Sequence, residues 1–413
     1  MEKALVLCGG GSLGSYEMGA WKALREAGER FSYVAGTSIG AFIGAFVALD
    51  EFDKCQRLWD QVDIDDVMKD GFSLSANFFN EARKVQTSKI LAFAKSYISH
   101  RGADIQPFKE MMDREIDYAK ISACKTPIDI VVTSYPSLKE VDVTLNGLPP
   151  DEIREALLAT SACYPLFPVH SYNGKKWVDG GFTNNLPIDL AVKRGASEII
   201  AICLPAIPKI PQNYELTRLP NVTLIAPNRD IGTIMDFTRK RLDENMTLGY
   251  LDARKALKLN KGYDYYFVVK QSEKDIADRF ARQLFKKDPY SFEAITSALG
   301  LDPGKQHHAT AYLMKTAEMA AKALGIDPLK EYTLREMDYL IHGRLEDEVS
   351  PQDEGNFFTF RRLSEKMMKR FLLTCYGAKK HRKKPVFHKD LFSNSPEAQA
   401  LLLLVNTVAR HQL

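Results

Sequence analysis

The sequence predicts an α/β fold: a mostly parallel central sheet sandwiched by helices, followed by a helical C-terminal region. Three observations carry this. Strand-like apolar runs alternate with helix-spaced stretches through the first two-thirds of the chain. Two of the strand-to-helix junctions are rich in glycine. Beyond residues 263–270 the pattern turns helical and stays so. Strands that alternate with helices of this length are joined by crossovers, which make neighbours parallel and cover both faces of the sheet.

Residues 4–8 form the first apolar run and lead into Gly9-Gly10-Gly11-Ser12-Leu13-Gly14, then a helical stretch over 17–27. A second strand at 33–36 is followed by a helix at 39–49 that is apolar nearly all round and is therefore expected to be buried. Residues 50–117 are mostly helical in pattern and rich in aromatics, with Phe72, Phe78, Phe79, Phe93 and Tyr97. This stretch reads as an insertion between strands, either a lid or acyl-chain pocket or a set of ordinary covering helices. Further strands are expected at 128–133, 140–145, 198–204, 221–226 and 263–270, with helices at 151–159 and 187–194. The first domain is placed over 1–272 and a helical region of unassigned role over 273–413.

Composition narrows the function classes. A formal charge of +3 over 413 residues gives no reason to expect a nucleic-acid partner. With 45% hydrophobic and 26% charged residues the chain is of ordinary globular type. The six cysteines contain no C-x-x-C pair and read as reduced thiols, with Cys8 the one placed for access beside the glycine turn. The first apolar run is too short for a signal peptide, and no stretch approaches the roughly 18 apolar residues of a membrane span. A cytoplasmic protein is expected, with peripheral contact to a membrane surface left open because such contact needs no span. Oligomeric state is not legible. No H-E-x-x-H motif and no cysteine–histidine cluster calls for a metal, and no cofactor is expected.

Gly9, Gly11 and Gly14 satisfy G-x-G-x-x-G between a strand and a helix, which suits either a dinucleotide phosphate or a transient oxyanion. The dinucleotide reading needs an acidic residue at the end of the second strand. That strand ends instead in Gly36-Thr37-Ser38-Ile39-Gly40, a G-x-S-x-G in the strand-to-helix setting of a nucleophile elbow. A serine nucleophile needs backbone donors for the oxyanion, which the turn at 9–14 can supply, and a base. None of the eight histidines occupies a recognisable catalytic setting. His170 lies in what reads as a surface hairpin, and Asp179, ahead of Gly180 and Gly181, is the most economical base.

These motifs resemble those of the patatin-like phospholipase family, in which a GGGxxG turn, a GxSxG elbow and a D-G-G/A motif follow in this order. Two more blocks are similar, ATSACYPLFP at 159–168 and NNLP at 184–187, and the resemblance runs over about residues 1–270. It implies Ser38 as nucleophile and Asp179 as proton acceptor, with Gly36, Gly40, Gly180 and Gly181 as motif glycines. It also implies an oxyanion hole of Gly9, Gly10, Gly11, Gly14 and Ile39, whose donors are the N–H groups of Gly10 and Gly11, joined by Ile39. The expected activity is hydrolysis of phospholipid or lysophospholipid acyl esters through an acyl-enzyme. Leu13 departs from the family, since many relatives carry Lys or Arg there. Two alternatives stay open: an esterase with a Ser–His–Asp triad, and a non-catalytic nucleotide- or lipid-binding module. In the C-terminal region, 379–384 is a basic run and 398–408 a leucine-rich helix expected to dock on the rest of the protein.

Overall fold

The computed structural model describes residues 3–71, 102–205, 215–286, 292–348, 364–380 and 395–408. The chain divides into two compact units, Met1–Ala256 and Leu257–Leu413.

In the first unit β1 (Lys3–Leu7), β2 (Tyr33–Thr37) and β3 (Ile128–Ser134) are buried almost throughout, in keeping with their mainly apolar sequences. β4 (Glu140–Thr144) alternates in exposure and lies beside β3. β5 (His170–Tyr172) and β6 (Lys175–Asp179) form the expected hairpin, and β7 (Glu198–Ile202) and β8 (Val222–Ile225) complete the sheet. Its order is β5-β6-β3-β2-β1-β7-β8, with β4 pairing β3. The contacts β3–β2, β2–β1, β1–β7 and β7–β8 are parallel, and those of β4, β5 and β6 are antiparallel.

The flanking helices are α1 (Gly14–Glu26), α2 (Ile39–Leu49), α3 (Phe52–Gln61), α4 (Gln106–Glu115), α5 (Tyr118–Ala123), α6 (Pro150–Thr160), α7 (Ile188–Lys193) and α8 (Arg239–Ala256). α2 is buried on its first two turns, as its apolar sequence predicts. A buried charge lies within β3, on Asp129. Its carboxylate accepts two bonds from Arg194 at 2.8 Å each, one from Tyr33 at 2.8 Å and one from Thr144 at 2.6 Å. A buried carboxylate persists when its oxygens are satisfied in this way.

The second unit contains β9 (Tyr266–Phe267), α9 (Gln271–Lys286), α10 (Phe292–Ala298), α11 (Ala309–Ala323), β10 (Glu331–Tyr332), α12 (Leu334–Glu348), α13 (Glu365–Lys380) and α14 (Pro396–Val408). Its core includes Phe280, Ile295, Ala320, Met337, Phe371 and Leu401. Here the structure departs from the expected boundary near residue 272. The strand expected at 263–270 shortens to β9 and pairs with β10 in the second unit. The Glu318 side chain of α11 accepts the Tyr263 and Tyr265 N–H groups, tying this segment to the second core. α14 buries Ala398, Leu401, Leu404 and Val405 in that core. Residues 381–384 of the basic run lie outside the described residues.

Candidate active site

Ser38 and Asp179 are neighbours because two strands meet end to end. β3 carries β4 along one edge. Along the other, β2 pairs in parallel with 128–131 and β6 pairs antiparallel with 132–134, so their C-terminal ends point at one another. Thr37 is opposite Val131 and Asp179 is opposite Val132. The next residue after Thr37 is Ser38.

Ser38 joins β2 to α2 with φ 53° and ψ −122°. A side chain in that region carries about 1–3 kcal/mol of backbone strain, which the surroundings must hold in place. Its N–H donates to the Thr160 hydroxyl oxygen at 2.9 Å, and that hydroxyl donates to the Val131 carbonyl at 2.6 Å. The sharpness of the elbow explains Gly36, where a Cβ would stand 2.6 Å from the carbonyl carbon of Gly40.

Asp179 is 6% exposed. Its Oδ1 accepts the Gly181 N–H at 2.8 Å, and the nearby Ser38 hydroxyl also favours its charged form. Burial outweighs both contacts and pushes the carboxyl up to about 6. A carboxylate of that basicity is a better match for a hydroxyl proton than an exposed aspartate near 4.

In the glycine turn, the Gly9 N–H donates to the Asn185 carbonyl at 3.2 Å and the Gly14 N–H is used inside the turn. Among the described residues no acceptor takes the N–H groups of Gly10, Gly11 or Ile39. Gly11 has φ +57°, and a Cβ there would lie 2.3 Å from the Ile234 carbonyl oxygen. That carbonyl accepts the Ser12 N–H at 2.9 Å, while the Ser12 hydroxyl donates to the Thr233 carbonyl at 2.9 Å. Behind the turn, Glu17 of α1 accepts the Cys8 N–H at 2.7 Å, and burial pushes its carboxyl well above the usual range. Leu13 is 2% exposed and does not line the cavity described next. Cys8 is buried, not accessible, because it continues β1 into the core.

Ser38, Asp179 and Gly9–Gly11 open onto a cavity of about 550 Å³. Most of its wall is apolar, from Phe42, Leu58, Trp59, Phe108, Met111 and Phe167, and among the described residues no lysine or arginine lines it. Leu58, Trp59, Phe108 and Met111 come from the region read as an insertion. Its aromatics at 72, 78, 79, 93 and 97 lie outside the described residues. Cys163 also faces the cavity, but burial and the Asp179 charge push its thiol up to about 12, which leaves it a poor nucleophile. His170, the described histidine of this unit, bonds Glu155 at 2.8 Å and does not line the cavity.

Three contributors escaped the sequence reading as individuals: Thr160, Asn185 and the 233–234 carbonyls. Thr160 and Asn185 do lie in the two blocks that resemble family sequence, but nothing local marks what they bond.

Fold and site together define an α/β domain with a serine on a strained strand-to-helix turn, facing a buried carboxyl and an apolar cavity. Residues 5–192 match the family model described as patatin-like phospholipase. It is 27% identical over 267 residues to "Lysophospholipase NTE1" of Meyerozyma guilliermondii, covering 62% of this chain and 16% of that one. It is 31% identical over 207 residues to "Patatin-like phospholipase domain-containing protein 6" of Homo sapiens, covering 48% and 13%. The chain thus spans about a sixth or less of the length of these relatives. VipD from Legionella pneumophila superposes with a TM-score of 0.40 at 13% identity over 98% of this chain and 91% of that one, a likeness too slight to weigh.

Proposed function

We propose that the first unit is a serine hydrolase that cleaves carboxylic ester bonds of phospholipids or lysophospholipids. One conjunction carries the reading: a serine hydroxyl against a buried carboxyl raised to about 6, beside two glycine N–H groups that no described residue engages, on the wall of an apolar cavity.

The acyl chain occupies the apolar cavity. Ser38 Oγ attacks the ester carbonyl as its proton passes to Asp179, and the tetrahedral oxyanion is met by the Gly10 and Gly11 N–H groups, with Ile39 at the start of α2 adding a third donor. Collapse breaks the ester C–O bond, and Asp179 returns the proton to the departing alcohol. Water, deprotonated by Asp179, then attacks the acyl-serine; the acyl–Oγ bond breaks, the fatty acid leaves, and Asp179 returns the proton to Ser38 Oγ. Donors fixed in a dry site supply much of the stabilisation, each worth roughly 10²–10³ in rate. No step calls on a metal or cofactor.

Among the described residues no helix is long and apolar enough to cross a membrane. We place the encounter with lipid at a membrane surface, approached from the cytoplasm. The likeness to a lysophospholipase supports the single-chain substrate in particular.

A fluorophosphonate probe tests the reading. It should label Ser38, leave Ser38→Ala unmodified and label Asp179→Asn far more slowly. Folded parent protein that takes up no label with liposomes present would refute it. A histidine substitution that abolished labelling would instead favour the triad.

A further inference from the structure

We infer that Asn185 is a positioning residue that aims the Gly10 N–H and locks the glycine turn to the loop carrying Asp179. The inference rests on the hydrolase reading above. Asn185 is 5% exposed. Its backbone carbonyl accepts the Gly9 N–H at 3.2 Å, and its Nδ2 donates to the Gly9 carbonyl at 3.1 Å and to Cys8 Sγ at 3.1 Å. A carbonyl can only accept, so Gly9 decides which end of the amide faces the turn.

The Gly9 carbonyl and the Gly10 N–H belong to one planar trans peptide and point in opposite directions. Holding the carbonyl therefore fixes where the N–H aims. The other end of the amide packs against the base loop. A Cβ on Gly181 would stand 2.7 Å from Asn185 Oδ1 and 3.0 Å from Asp179 Oδ1, and the Gly181 N–H is the one that Asp179 accepts. One residue earlier, the Asn184 carbonyl accepts the Thr37 hydroxyl at 2.8 Å, next to Ser38. Two consecutive residues thus touch the elbow, the turn and the base loop. A positioning residue of this kind controls the rate of the chemical step while leaving substrate binding in the apolar cavity unchanged, because a misaim of about 1 Å costs on the order of 10²-fold.

The test uses the full chain, a p-nitrophenyl ester and a fluorophosphonate. Asn185→Ala should lower kcat and the labelling rate about 30- to 100-fold with KM within twofold and a near-parental thermal midpoint. Asn185→Asp should be lower still, because its carboxylate faces the Gly9 carbonyl. A folded variant with parental kcat, or a loss confined to KM, overturns the inference while an active parent leaves the hydrolase reading standing. A parent that neither labels nor hydrolyses ester overturns both. If neither variant folds, hydrogen exchange on the parent decides: capture of Ser38 by the phosphonate should slow exchange in 8–13 and 183–187 together, and slowing in 8–13 alone overturns the inference.

Discussion

The Thr160 hydroxyl accepts the Ser38 N–H at 2.9 Å while donating to the Val131 carbonyl at 2.6 Å, so a single oxygen spans the gap between the elbow and β3. Thr160→Val keeps the shape and removes both bonds. We expect kcat to fall about 10- to 100-fold, and Thr160→Ser to stay within a few-fold of the parent. A loss in Thr160→Ser with Thr160→Val near the parent would show that the methyl group, not the hydroxyl, is what matters.

Activity should track the ionisation of Asp179. With the carboxyl near 6, kcat/KM should be level above that pH and fall about tenfold per unit below it. A profile still level at pH 5 would mean that another group takes the proton.

The same shift has a cost in stability. Asp179 titrates near 6 in the folded chain and near 3.9 unfolded, so between these values the folded state holds the proton more tightly. Stability therefore falls as pH rises through that window, by about 3 kcal/mol for two units. Asp179→Asn, which carries no charge to desolvate, should melt higher than the parent at pH 8 and near it at pH 4, while losing activity. Equal midpoints at pH 8 would sink this account.

Cavity size should set chain length. Met111→Trp adds bulk to the wall without touching Ser38 or Asp179. Turnover of a sixteen-carbon acyl ester should drop well below that of a four-carbon ester, with the short ester near its parental rate. Uniform loss across chain lengths would place the acyl chain elsewhere.

Much of this was legible in the sequence because it is local. The turn at 9–14 and the elbow at 36–40 sit between an apolar run and a helical pattern, and both recur where expected in the structure. Asp179 could be picked out by its glycines. What escaped depends on approaches across the fold: Thr160 reaches a residue 122 positions away and Asn185 one 176 positions away. The meeting of β2 and β6 follows from strand pairing, which periodicity does not report. The strand at 263–270 misled because a short aromatic run reads alike in a main sheet or in a two-residue ladder.

The family match ends at residue 192, yet β7, β8, α8 and the 233–234 carbonyls that hold Ser12 all follow it. Cut at 192, the chain would leave β1 as a bare sheet edge, open to pairing with a neighbour. The inheritable, transplantable module is thus longer than its recognisable signature. Anyone grafting this domain into another protein would have to carry it through Ala256, where the first compact unit ends.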